Sequence, residues 1–362
     1  FYFKEPGYSP YSLLYIIFYG FFFCIAFSYS MKKSYAIILI AFLIFILTFG
    51  LLDGNVFRYL NVIVIHFLPF CVYIYFRKFC SKGFVISFFH VLYCFAIINM
   101  FFLFLSQLGI NPIAVKESKL SSGLFPNPNM LGVFLLFSFI MWVNVNMKLV
   151  TLKNKLFLFN LILFGSSIWF TGSRRSILFF IIYLNYMFFK GQKNKTKYFI
   201  SIGLIIFSGF YYFQILDLVI NFYYLVSNLE ITDLSLLIRF ERVIEVIYSI
   251  SNDLLTLLFG TWGQYGEIGN YFIKTYSFGA LDVYPILLFS DLGLFGLTII
   301  FAIYFYILRS NNSDNEFTKL NKKGVLWVII LTSLFGNTII TFPIILIVPL
   351  LISYLNMLNI DE

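Results

Sequence analysis

Arg174 and Arg175 stand side by side in Thr171-Gly172-Ser173-Arg174-Arg175-Ser176, between two apolar runs that are short for a membrane crossing. From Ser176 to Phe189, just before Lys190, a helix would rise only ~21 Å at ~1.5 Å per residue, against a hydrocarbon thickness of ~30 Å. The pair is therefore expected to sit below the membrane surface. Guanidinium groups at that depth are costly unless they face water or an anion, so intramembrane arginines are read first as a functional site. A guanidinium is a planar fork of donors, and the anion it suits is a phosphate held through two oxygens. Arg58, Arg239 and Arg242 are assigned to the same outer side, whereas Arg77 and Arg309 are assigned inside. Of the 16 acidic residues only Asp314, Glu316, Asp361 and Glu362 fall inside. An outer vestibule with both arginines and carboxylates suits anion binding joined to acid or base chemistry, although topology bias alone explains part of that skew.

The elements that must position these groups are membrane helices. Hydrophobic residues make up 61% of the chain, and its mean hydropathy is +0.91, more than a soluble core requires. Apolar spans are read at 11–30, 34–52, 59–76, 83–106, 128–147, 156–171, 176–189, 198–216, 281–308, 324–341 and 343–358. Most of the 25 lysines and arginines lie in alternate loops: Lys32 and Lys33; Arg77, Lys78 and Lys82; Lys148, Lys153 and Lys155; Lys190, Lys193, Lys195 and Lys197; Arg309, Lys319, Lys322 and Lys323. Those loops are expected to be cytoplasmic. The fold class expected is an all-α polytopic membrane protein with eleven crossings, its N-terminus outside and its C-terminus inside. The chain begins with Phe1 rather than Met, and a further helix upstream would make twelve, with both termini cytoplasmic. Twelve is the expectation for the full protein. Cys24, Cys71, Cys80 and Cys94 lie in or beside apolar spans without CxxC or metal-ligand spacing, so neither a disulfide nor a zinc site is implied.

One integrated membrane domain is expected, with N-terminal helices over 1–216, a long external loop over 217–280 and C-terminal helices over 281–362. The loop is long enough for amphipathic helices but short for an independent core. Within it, 236–255 reads as a helix on which Arg239 and Arg242 share a face and Glu241 and Glu245 a neighbouring one. An interfacial helix with snorkelling arginines would have the same pattern. Gly260-Thr261-Trp262-Gly263-Gln264-Tyr265-Gly266 follows, with glycines for tight turns and aromatics for stacking. Three helices are expected to start at the outer face with caps, at Asn127-Pro128-Asn129, Thr171-Gly172-Ser173 and Asp282-Val283-Tyr284-Pro285. Helix N-termini that converged on one cavity would add to anion binding.

These residues resemble a family. The Asn127-Pro128-Asn129-x-Leu131 start of a helix, the Thr171-Gly172-Ser173-Arg174 turn, an arginine-bearing external helix followed by Gly260-x-x-Gly263, and Asp291-Leu292-Gly293-Leu294-Phe295-Gly296 occur in the same order in the superfamily of O-antigen ligases and Wzy-type O-antigen polymerases. The resemblance covers residues 120–300. It implies a glycosyltransferase-C-like fold in the bacterial inner membrane, with a periplasmic active site acting on undecaprenyl-diphosphate-linked oligosaccharide. The ligases resemble one another in a catalytic histidine in the large external loop. Here the only histidines, His66 and His90, lie in earlier spans, where a neutral histidine bonding another helix is the simpler reading. A Wzy-type polymerase is the better fit, with a ligase as the alternative. A flippase of lipid-linked oligosaccharide is a third, but it would be expected to show two related halves, and no half-length repeat is evident.

The resemblance implies inverting transfer of a growing chain from its lipid diphosphate to a hydroxyl of a fresh repeat unit. Arg174, Arg175, Arg239 and Arg242 are then the candidates to hold the departing diphosphate. Asp282 is the candidate general base, with Glu267 and Asp253 behind it. Trp262, Tyr265 and Tyr271 are candidate surfaces for the sugar rings. No cofactor or metal is expected, because basic side chains take the place of a divalent cation. The expected partners are the lipid-linked oligosaccharide, membrane lipid and a polysaccharide chain-length regulator, and no nucleic acid.

Overall fold

A computed structural model describes residues 56–108, 125, 128–150, 153–191, 234–262, 284–309, 316–334 and 344–357. Among these residues the regular structure is helical, with no strand. In chain order the helices are α1 (Val56–Phe79), α2 (Lys82–Gln107), α3 (Pro128–Val145), α4 (Lys155–Phe170), α5 (Arg174–Gly191), α6 (Leu234–Ser251), α7 (Leu254–Phe259), α8 (Tyr284–Arg309), α9 (Glu316–Leu334) and α10 (Ile344–Met357). Three of them, α2, α3 and the Tyr284–Ala302 part of α8, are long and apolar enough to cross a membrane. The described chain is thus helical, with elements fit by length and hydropathy to cross a membrane. The spans expected at 11–30, 34–52 and 198–216 lie outside the described residues.

Hydropathy located α1 to α5 and α10 to within a few residues, and three other expectations differ in instructive ways. α9 begins at Glu316, eight residues before the apolar run, because a helix continues through polar residues such as Lys319 and Asn321 as readily as through apolar ones. The helix expected over 236–255 ends at Ser251, and a second, α7, starts at Leu254. Asp253 makes that division: its carboxylate accepts from the Thr256 amide at 3.0 Å and from the Thr256 hydroxyl at 2.6 Å, capping α7. The span expected over 281–308 is broken at Gly293, whose φ of 65° and ψ of −168° leave the helical region.

The chain groups into two compact units, each drawing on distant stretches of sequence. The first comprises Phe1–Val85, Val243–Asn311 and Ile339–Glu362, and the second Ile86–Arg242 and Asn312–Thr338. At the centre of the second is α3, buried on every side from Leu131 to Met141, as expected of a helix that is apolar all round. Phe139 packs its ring against Phe164 of α4 and against Phe180 and Tyr183 of α5. Below these rings Tyr183 donates to Asn321 of α9 at 2.8 Å, Asn321 donates to Asn144 of α3 at 2.6 Å, and Asn144 donates to its own helix at Ile140 O at 2.7 Å. Such a closed chain of amides is what lets polar side chains stay in an apolar interior.

In the first unit α1 packs along α10 and α8. Asn356 of α10 donates to the Tyr73 hydroxyl at 2.9 Å, and Arg77 donates to the same oxygen at 2.8 Å. Tyr59, Ile63 and His66 follow one another along a buried stripe of α1. The lower end of α6 contributes Val246 and Ile250, which pack against Leu287 of α8.

Candidate functional site

Each unit holds one polar cluster of note. In the second, α4 hands over to α5 in three residues. The Thr171 amide donates to Ser167 O at 3.1 Å and its hydroxyl to Ile168 O at 2.7 Å. Gly172 takes φ 67°, a left-handed conformation that closes a helix and favours glycine, and its amide donates to Trp169 O at 2.9 Å. The Ser173 carbonyl accepts the first bond of α5 from Ile177 at 3.1 Å, which makes Ser173 the cap and puts Arg174 and Arg175 in the first turn. Ser173 and Ser176 lie with their hydroxyls 2.8 Å apart, buried against α3. The contact on α3 is Gly132: a Cβ there would lie 2.7 Å from Ser176 Oγ and 2.9 Å from Ser173 Cβ. The opening turns of α3 and α5 therefore meet.

Arg174 is exposed and Arg175 is half-buried. From Arg174 to Lys190 the helix rises ~24 Å, still short of the ~30 Å hydrocarbon core. Two cations in the first turn oppose the helix dipole, at a cost of ~0.3–1 kcal/mol each. An anion bound there would turn that repulsion into attraction. The openings of α3 and α5, two of the three helix starts expected to converge, lie together at Gly132. Asn127 and Asp282 lie outside the described residues.

In the first unit the cluster lies at the break in α8. His66 of α1 is fully buried, and its Nε2 donates to Asp291 Oδ2 of α8 at 2.9 Å. With the proton on Nε2, Nδ1 is left to accept from the Tyr284 hydroxyl at 3.4 Å, a long bond. Ser290 stands beside the other carboxylate oxygen at 3.4 Å. Two residues after Asp291 the helix breaks, and the chain just beyond α7 crosses it. The Thr261 amide donates to Ser290 O at 2.7 Å and the Trp262 amide to Asp291 O at 3.0 Å. The crossing has room only for glycine: a Cβ on Gly260 would lie 2.4 Å from the Asp291 carbonyl, and one on Gly293 2.4 Å from the Leu258 carbonyl. The Gly260 and Asp291–Gly296 motifs, far apart in sequence, are thus the two halves of one contact.

Trp262 is the one candidate sugar surface among the described residues. Its φ of 52° is strained for a bulky side chain, and it lies parallel to the Tyr59 ring at 5.5 Å. One face of the indole is thereby given to the protein. Asp253 is exposed, and its bonds from Thr256 hold its carboxyl below the usual range. Arg239 and Arg242 fall on the first half of α6, one turn apart. Asp282, Glu267, Tyr265 and Tyr271 lie outside the described residues. His66 does bond another helix, as expected, whereas His90 is on the exposed face of α2. The partner of His66 was missed. The available signal was an acid and a histidine each placed inside an apolar run, where either alone is costly. Among the described residues no three His, Cys, Asp or Glu side chains gather as a metal site.

Comparison with family models, with curated proteins and with solved structures found no match to this chain. The fold defines a class, helical proteins with helices long and apolar enough to cross a membrane, and the functional reading rests on the residues themselves.

Proposed function

We propose that this chain is a membrane glycosyltransferase, a Wzy-type polymerase that joins undecaprenyl-diphosphate-linked repeat units into O-antigen or a related surface polysaccharide. In this reading it crosses the bacterial inner membrane eleven times, with the 217–280 loop and the active site on the periplasmic side. The observation that carries the reading is the Arg174–Arg175 pair in the first turn of α5, where that turn meets the opening of α3. Cations at the positive end of a helix dipole are disfavoured without an anion, and the substrate supplies one as a diphosphate.

In the reaction the acceptor hydroxyl oxygen forms a bond to the anomeric carbon of the donor sugar, while the bond from that carbon to the lipid diphosphate breaks. The hydroxyl proton passes to a base and the electron pair leaves with the diphosphate. Charge on the diphosphate rises as the bond stretches, so arginines that hold it more tightly in the transition state accelerate the step. Arg174 and Arg175 take this role, joined by Arg239 and Arg242. Asp282 takes the proton, with Glu267 in reserve. Asp253 ranks below them, because its carboxylate already caps α7 through Thr256. Trp262, Tyr265 and Tyr271 offer ring surfaces to the sugars, and no metal is needed for charge neutralisation. A chain-length regulator is the expected protein partner.

One observation favours a second reading. A histidine–carboxylate pair beside a broken helix is the kind of feature that secondary transporters use at their binding sites, and it supports a flippase of the same lipid-linked oligosaccharide. The lipopolysaccharide profile of a deletion strain, with and without the gene restored, separates the readings in a host that makes O-antigen. Loss of the ladder with a band of core plus one repeat is the result expected. Core alone with long polymer on the lipid carrier would overturn polymerase in favour of ligase, and core alone with single repeats trapped on the inner leaflet would overturn it in favour of flippase.

A further inference from the structure

The packing of α6 and α7 along α8 traces a path that an external loop does not require. Val246 and Ile250 of α6 lie against Leu287, one turn into α8, and Leu257 of α7 joins them. One residue later the chain has reached Gly293, whose Cβ position falls on the Leu258 carbonyl, and the Phe259 ring meets Phe295 at 6.2 Å. Then the direction reverses. Gly260 backs onto Asp291 and Leu292, the Thr261 amide reaches Ser290 O, and Trp262 lies on Tyr59 in the first turn of α1. Between Leu287 and the break at Gly293 the chain descends ~9 Å along α8 at ~1.5 Å per residue, and then climbs back.

That descent runs into a helix able to cross the membrane. The break at Gly293 lies ~14 Å along α8 from Tyr284, at the middle of the Tyr284–Ala302 span, and Phe295 lies just beyond it. At the turning point Leu254, Leu255, Leu258 and Phe259 are exposed, and so are Leu294 and Phe295 beside them. Phe259 touches Phe295, so the exposed apolar side chains of α7 adjoin the outside of a candidate span. Against water such a patch would be a liability; against acyl chains it is ordinary. The other requirement for entering hydrocarbon is that non-helical backbone be satisfied within the protein. At the break the Ser290 and Asp291 carbonyls and the Thr261 and Trp262 amides satisfy one another within the protein.

We propose that residues 254–262 form a re-entrant segment, seated in the break of α8, whose apolar surface contacts the acyl-chain interior of the bilayer. The side from which it enters rests on the periplasmic orientation given above; its depth does not. Directly beside the segment lie His66 and Asp291, so the pair belongs to the membrane interior rather than to a surface vestibule. The glycines follow from the same arrangement: Gly260 and Gly293 let two backbones touch at a depth where neither can be hydrated.

The test is a depth profile of the full chain in proteoliposomes. Spin labels are placed one at a time at Leu254→Cys, Leu255→Cys, Leu258→Cys and Phe259→Cys, with the four native cysteines changed to serine. Collision with oxygen, which concentrates in hydrocarbon, is compared with collision with a water-soluble nickel chelate. The expected result is oxygen access at every position, with nickel access at Leu258 and Phe259 at least tenfold below that of a label free in water. Nickel access close to the aqueous value along 254–259 overturns the proposal. If the serine background does not assemble, benzoylphenylalanine at position 258 in the native chain decides the matter: photo-adducts with lipid are expected, and their absence overturns it. Neither readout requires catalysis, so loss of the proposed reaction would leave this result standing.

Discussion

The two polar clusters are built on opposite terms. In the second unit Thr171 to Ser176 are sequence neighbours, and they present one exposed and one half-buried guanidinium at a helix end that disfavours positive charge. In the first unit His66 and Asp291 are 225 positions apart, buried, and bonded to each other. One cluster sets two like charges side by side, and their complement in our reading is the substrate; the other sets a histidine against a carboxylate inside the protein. What the difference teaches is where to look for a ligand. Two like charges in one helix turn point to an anion as ligand, whereas a bonded histidine–carboxylate pair points to a role in holding helices together or in moving a proton.

The sharpest way to break this comparison is to ask which carboxylate does the acid–base work. Loss of a general base lowers a rate by ~10²–10⁴, so Asp282→Asn should abolish long-chain synthesis by the purified protein while its elution on size exclusion stays normal. Should Asp282→Asn still make long chains while a well-assembled Asp291→Asn does not, the buried pair is the reacting one and the contrast inverts.

Next in size is the difference between the two close approaches. Gly293→Ala drives a Cβ into the Leu258 backbone at 2.4 Å, and no side chain can move aside. A loss of ~3 kcal/mol is expected, read as a lower unfolding midpoint in detergent. Gly132→Ala meets a Ser176 hydroxyl that can rotate and a Ser173 Cβ at 2.9 Å that yields only by a small shift of the helices, so a smaller loss of ~2 kcal/mol is expected. Equal effects would mean that the crossing at α8 is no more rigid than the helix contact.

Arg174→Lys and Arg175→Lys replace a fork by a point charge, and each should cost activity ~tenfold, or ~1.4 kcal/mol, with an unchanged unfolding midpoint. Full activity of both variants at normal expression would reduce the pair to membrane anchors. The smallest effect is electrostatic. The Asp253 carboxyl is held below its ordinary value of 3.8 by Thr256, so its contribution to stability is present above that value and is lost as pH falls through the lowered one. The gap in unfolding midpoint between the native chain and Asp253→Ala should therefore be full at neutral pH and close in acid. A gap that persisted below both values would assign the effect to the neutral hydrogen bonds alone.

Hydropathy was enough to find α1 to α5 because a buried or lipid-facing helix is written as a continuous apolar run. It could not show that α8 is two arms, because Gly293 is as apolar as its neighbours and its φ of 65° is imposed by a strand of chain from α7. Nor could it give α9 its true start, since charged residues do not end a helix. The arginine turn was legible down to its cap, because Thr171, Gly172 and Ser173 act on backbone within a few residues of themselves. His66 and Asp291 were legible only as two separate anomalies in apolar runs.

The sequence by itself determined that this is a chain of apolar helices, where most of them start and stop, and that two cations occupy the first turn of one of them. These are local properties, set by side-chain hydropathy and by hydrogen bonds spanning a handful of residues. Only the tertiary structure decided that Gly260 and Gly293 face each other, that a helix is broken where they meet, and that a histidine in α1 has its carboxylate in α8. Such contacts depend on the packing of helices distant in sequence, where one Cβ or one unanswered polar group settles which backbones can touch.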